Sequence, residues 1–79
     1  GLELFPAQPF VYLMQGRSFN FGKKYNDAID VLINGIDFIL EDKLLEAYFY
    51  EQLAISYEGL NQVEKARKST EKSVELRKN

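Results

Sequence analysis

Displacing the chain along itself by 38 residues brings two sets of side chains into register, and that offset limits the fold more than any other feature. Tyr12, Gly16, Phe19, Ala28, Leu32, Gly35 and Ile36 fall on Tyr50, Ala54, Tyr57, Ala66, Thr70, Ser73 and Val74. Few pairs are identical, but the classes agree: aromatic, small, aromatic, alanine, then a small residue beside a β-branched one. Small groups allow two helix backbones to approach, and aromatics fill the space beside them. A chain of 79 residues holds one compact domain at most, so the two halves must share a core.

The local pattern predicts helices throughout. Pro9 suits a first helical position, where its missing N–H has no partner to lose, and a first helix is expected from Pro9 to Phe21 or Gly22. Gly22 is expected to end it by tolerating positive φ, with Lys23 and Lys24 near the negative end of the dipole. Tyr25, Ala28, Ile29, Leu32, Ile33 and Ile36 then form the stripe of an amphipathic helix, expected to run to about Leu40. Asp42 is a predicted N-cap for a third helix carrying Leu44, Leu45, Tyr48, Phe49, Leu53, Ala54 and Tyr57, which stops at Gly59-Leu60-Asn61. A fourth, more polar helix spans Gln62 to Arg77 and is expected to bury little on its outer side. No segment alternates strictly, and Asn34-Gly35 sits inside a helical stripe, where it predicts a crossing of two helices rather than a hairpin turn. The fold class is therefore all-α, with antiparallel neighbours joined by short turns.

At these residues the chain resembles the tetratricopeptide repeat family, whose units are antiparallel helix pairs of about 34 residues with this aromatic, small, aromatic, alanine order. The resemblance implies a short right-handed α-solenoid. Residues 9–41 would be a first unit, 42–79 a second with a polar capping helix, and 1–8 the end of a preceding repeat, including Leu2-Glu3-Leu4-Phe5-Pro6. The chain is thus expected to be part of a longer array. It departs from the family in its longer period, in Gln15 where a large aliphatic is usual, in Thr70, and in having no proline after the second unit. A generic four-helix bundle is the alternative architecture.

The resemblance also implies where a partner would lie. In this family the first helix of each pair lines a concave groove, and the matching positions are Phe10, Leu13, Arg17, Asn20 and Phe21 in the first unit. In the second they are Tyr48, Glu51, Ile55 and Glu58. Arg17 and Asn20 would offer donors, and the aromatics apolar area. The alternative for Phe10, Phe21 and Tyr48 is packing against neighbouring helices. Some members clamp C-terminal carboxylates with lysine, asparagine and arginine on these positions. That set is absent here, since Leu13 and Glu51 stand where lysine or asparagine is needed. An apolar segment with a basic residue facing Glu51 or Glu58 is the expected ligand.

Composition narrows the remaining functions. With no histidine or cysteine, imidazole bases, thiol nucleophiles, disulfides and zinc sites of either ligand type are excluded. The absence of cysteine suits either redox compartment and assigns no location. The acid pairs Asp27 with Asp30 and Glu41 with Asp42 read as capping or surface groups. Ser18 and Ser56 recur at the repeat interval without a nearby base, and bonding to the preceding turn explains them. No enzyme activity, cofactor or metal is expected. A net charge of -2 opposes general nucleic-acid binding. Lys65, Arg67, Lys68 and Lys72 alternate with Glu64, Glu71 and Glu75, which reads as a solvated face of intrahelical pairs. No apolar run is long enough for membrane insertion. The expected role is a non-enzymatic scaffold that binds a protein or peptide. The alternatives are a terminal cap without binding activity, or a self-association module that forms a homodimer through Leu2, Leu4, Phe5 and parts of the first helix.

Overall fold

A computed structural model describes residues 8–78 of the chain. Residues 1–7 of the stub expected at 1–8, and with them Leu2, Leu4 and Phe5 of the alternative dimer surface, lie outside the described residues. Four helices follow in order: α1 (Pro9–Phe21), α2 (Tyr25–Ile36), α3 (Lys43–Gly59) and α4 (Val63–Arg77). Among the described residues there is no strand. Pro9 begins α1 as its ring geometry favours. At α3, Asp42 Oδ1 accepts the Leu45 backbone N–H at 3.1 Å, satisfying one donor that the first turn leaves unpaired.

The two helix-pair turns have the same construction. Lys24 N–H donates to Phe19 O at 2.8 Å and Lys23 N–H to Asn20 O at 3.0 Å. At the matching positions of the second pair, Gln62 N–H donates to Tyr57 O at 2.8 Å and Asn61 N–H to Glu58 O at 2.9 Å. Both are Schellman motifs, which satisfy the last orphan carbonyls of a helix. The left-handed residue is Lys23 (φ 64°) in one and Asn61 (φ 62°) in the other. Gly22, expected to take that conformation, has φ -86° and caps the helix one residue earlier. The motif requires positive φ at the position after the cap, whichever residue stands there.

Helix α2 ends at Ile36, short of the Leu40 that periodicity predicts. Two tight turns follow, Phe38 N–H to Gly35 O and Ile39 N–H to Ile36 O. Leaving the helix lets Phe38 stack on Tyr12, with ring centroids 5.4 Å apart, and lets Ile39 pack against the core. Both apolar side chains gain more from these contacts than from continuing a stripe toward solvent.

The core joins Leu13, Ala28, Leu32, Phe49 and Leu53, flanked by Tyr12, Phe19, Tyr50 and Tyr57. Gly35 lies at the crossing that Asn34-Gly35 predicts: a Cβ there would stand 2.5 Å from Tyr12 Cβ and 2.7 Å from the Phe49 ring. Only glycine permits that approach. Helix α4 presents Ala66, Ser69 and Ser73 to α3, so the two backbones pack closely over little apolar area. Its outer face carries Arg67 bonded to Glu64 and Glu71, and those partners hold the guanidinium above its ordinary pKa, chiefly through the Glu64 hydrogen bond.

Each helix touches its neighbour in sequence, and α1 also touches α3. Helix α1 touches α2 and α3, α2 touches α3, and among the described residues α4 touches only α3. Because α4 touches neither α1 nor α2 among the described residues, the four helices do not close around one axis, giving a slab with extents of 40 × 33 × 15 Å. One face of the slab is made by α1 and α3 side by side, with α4 at its border.

Candidate binding groove

Three hollows adjoin on the α1–α3 face. The first, 480 Å³, lies between Met14, Arg17, Phe21 and Ile55, with Asn20 and Gln52 at its floor. The second, 420 Å³, is bounded by Phe10, Leu13, Met14, Tyr48 and Glu51. A third lies between α3 and α4, where Glu51, Ile55 and Glu58 face Thr70, Val74 and Arg77. Met14, Arg17 and Gln52 belong to the first two, and Glu51 and Ile55 connect these to the third. The result is one interrupted groove. All nine residues expected from the spacing line it, because every third or fourth residue of a helix returns to the same side.

Their individual states differ. Phe21 is 93% exposed, Phe10 58% and Tyr48 42%, so these aromatics project toward solvent and leave the packing to Leu13 and Phe49. Leu13 is buried and forms the apolar floor between Phe10 and Met14. Asn20, expected to offer donors to a ligand, is also buried, and its donors are spent within the fold. Its Nδ2 donates to Gln52 O at 3.0 Å and to Gln52 Oε1 at 3.1 Å, while its Oδ1 accepts from Ser56 Oγ at 2.7 Å. That network fastens α1 to α3 and sets the width of the groove between them. Ser56 Oγ also lies 3.0 Å from Gln52 O, so its single hydroxyl proton is shared between Asn20 and the carbonyl of the preceding turn, the partner that its position predicts.

The charged residues are arranged unequally. Arg17 stands where the first two hollows meet, and among the described residues no carboxylate pairs with it. Glu51, by contrast, is ion-paired with Arg77 from the last turn of α4. The same guanidinium lies 5.5 Å from the centre of the Tyr48 ring. The place opposite Glu51, where a basic residue of a ligand is expected, is held in this structure by the chain's own Arg77. Glu58 borders the third hollow and is exposed.

Sequence spacing on α1 and α3 missed Met14 and Gln52, which lie between the chosen positions, and the whole α4 border. Met14 follows Leu13 in the same stripe and is 41% exposed, a pattern that hydrophobicity at a helix surface would have flagged. Thr70, Val74 and Arg77 carry no such signal, since α4 has too few apolar residues to define a stripe.

Among the described residues, no helix is long and apolar enough to cross a membrane. In comparisons with known proteins, no family, no curated protein and no solved structure matches this chain.

Proposed function

We propose that the chain is a pair of tetratricopeptide-like units stacked in the same sense as a short right-handed solenoid, and that it binds an apolar peptide segment of a partner protein in the α1–α3 groove. The observation that carries this reading is that all nine groove positions line three adjoining hollows, with Phe10, Met14, Phe21 and Ile55 presenting apolar surface there. Exposed aromatic and aliphatic anchors around a few orienting charges are what a peptide groove requires. Stacking in one sense is supported by the equivalent turns at Lys23 and Asn61 and by the contact of α3 with both helices of the first pair. The role is binding without chemistry.

The test is a titration of a peptide library against the protein, followed through backbone amide shifts. A competent groove shows saturable shifts on the α1 segment around Met14 and the α3 segment around Ile55. Silence at both sinks the proposal and favours a second reading, a terminal cap. That alternative rests on the polar outer face of α4, whose buried residues are only Ala66, Ser69 and Ser73.

A further inference from the structure

The Arg77 guanidinium occupies a corner of the groove built from an aromatic face and a carboxylate. Tyr48 and Glu51 are one helical turn apart on α3, and both border the second hollow. Arg77 pairs with Glu51 and lies over the Tyr48 ring. A planar guanidinium suits such a corner better than an ammonium, because it can stack on the ring while its edge donates to the carboxylate.

The repeat shows that this corner is specific to the second helix pair. Tyr48 and Glu51 match Phe10 and Leu13 at the 38-residue offset, and those two line the opposite side of the same hollow. The hollow therefore has an apolar half, from Phe10, Leu13 and Met14, and a cation-accepting half, from Tyr48 and Glu51. Helix α2 stops at Ile36, which matches Val74, whereas α4 continues another turn and so delivers Arg77.

That extra turn is weakly held. Ser73 is the last buried residue of α4, the helix ends at Arg77, and the next residue, Lys78, is extended. Terminal turns open at little cost when few buried contacts anchor them. Release of Arg77 would need only this last turn to open.

We infer that Tyr48 and Glu51 form an arginine subsite that Arg77 fills in the free protein, and that a partner segment binds by placing its own arginine there, next to an apolar residue seated on Phe10, Leu13 and Met14. This rests on the α1–α3 face being a binding groove. Arg77 then acts as a built-in competitor. A ligand meets an open subsite only in the fraction of molecules in which Arg77 has moved away, and its apparent affinity falls by that fraction.

The test uses two probes, acetyl-leucyl-arginine amide and acetyl-leucyl-citrulline amide, the second having the same shape without the charge. Binding to the wild type, Arg77→Ala and Arg77→Gln is followed by the Tyr48 ring resonances and by the amides of Met14 and Ile55. Both variants should bind the arginine probe about tenfold more tightly than the wild type, as expected for removal of a competitor present about nine-tenths of the time. The citrulline probe should gain nothing, and adding Glu51→Gln to Arg77→Ala should abolish the gain. Circular dichroism identifies a variant that has lost helix, and the glutamine variant retains two of the three arginine methylenes without the charge. Equal affinity of wild type and both variants for the arginine probe, or an equal gain by the citrulline probe, overturns the subsite. If Met14 and Ile55 still respond in that case, the groove reading stands alone; no response from any residue to either probe removes both.

Discussion

The Ser56 hydroxyl donates to Asn20 Oδ1 at 2.7 Å, a buried bond that joins α3 to α1 beneath the groove. Asn20 completes its pairing on Gln52, so one side chain on α1 engages two residues of α3. Asn20→Ala removes every one of these bonds and should lower unfolding stability by about 1–3 kcal/mol. Ser56→Ala leaves the Gln52 bonds in place and should cost less, about 0.5–1.5 kcal/mol. Urea denaturation of the two variants measures the order. Equal or reversed losses would remove the asparagine from its place as the main polar tie between the helices.

Gly35→Ala tests how tightly the α1–α2 crossing is packed. The added carbon would meet Tyr12 Cβ at 2.5 Å, an atom fixed to the α1 backbone that cannot turn aside. Overpacking of this kind costs about 1–3 kcal/mol, against which better helix propensity recovers a part. Gly22→Ala is the control, since its nearest neighbours would be carbonyl oxygens at 3.7 Å and its φ is negative. Thermal unfolding should place Gly35→Ala clearly below the wild type and Gly22→Ala close to it. A wild-type midpoint for Gly35→Ala would mean that the crossing is looser than described.

The helices and the groove face were legible because their signals are local. Pro9 and Asp42 mark starts by backbone chemistry, and residues spaced by three or four share a side of a helix whatever packs beside them. The end of α2 was hidden because Phe38 and Ile39 continue an apolar pattern, and only the position of Tyr12 explains why they leave it. The burial of Asn20 was equally hidden. Its partners Gln52 and Ser56 lie 32 and 36 residues away, and its counterpart at the repeat offset is Glu58, which has no such role. The reach of α4 to Arg77 follows from its helical residues, but the placement of Arg77 against Glu51 and Tyr48 depends on how α4 packs on α3, which no stripe of side chains announces.

Lys23→Gly should stabilise the protein. Lysine at φ 64° carries the steric penalty of a left-handed residue with a Cβ, about 1 kcal/mol, which glycine avoids. The greater freedom of glycine in the unfolded chain takes back part of the gain, leaving about 0.5 kcal/mol. Asn61→Gly occupies the matching place, but asparagine already tolerates that conformation and the gain should be smaller. Chemical denaturation that ranks Asn61→Gly above Lys23→Gly would contradict this account of the two turns.

Groove function and folding can be separated by choosing residues according to exposure. Phe21 has 93% of its surface in solvent and contributes little to the core, so Phe21→Ala should leave unfolding stability within about 0.5 kcal/mol of the wild type. The same holds to a lesser degree for Met14, at 41%. If these side chains anchor a partner segment, each truncation should weaken a peptide that binds the wild type by about 1–2 kcal/mol, roughly tenfold. Leu13→Ala is the contrasting case: at 5% exposed, its removal opens a cavity under the groove and should cost about 2–5 kcal/mol of stability. Calorimetric titration alongside urea unfolding separates the two effects. A peptide that binds Phe21→Ala and Met14→Ala as tightly as the wild type must be seated elsewhere, and the exposed apolar residues of α1 would then have no part in recognition.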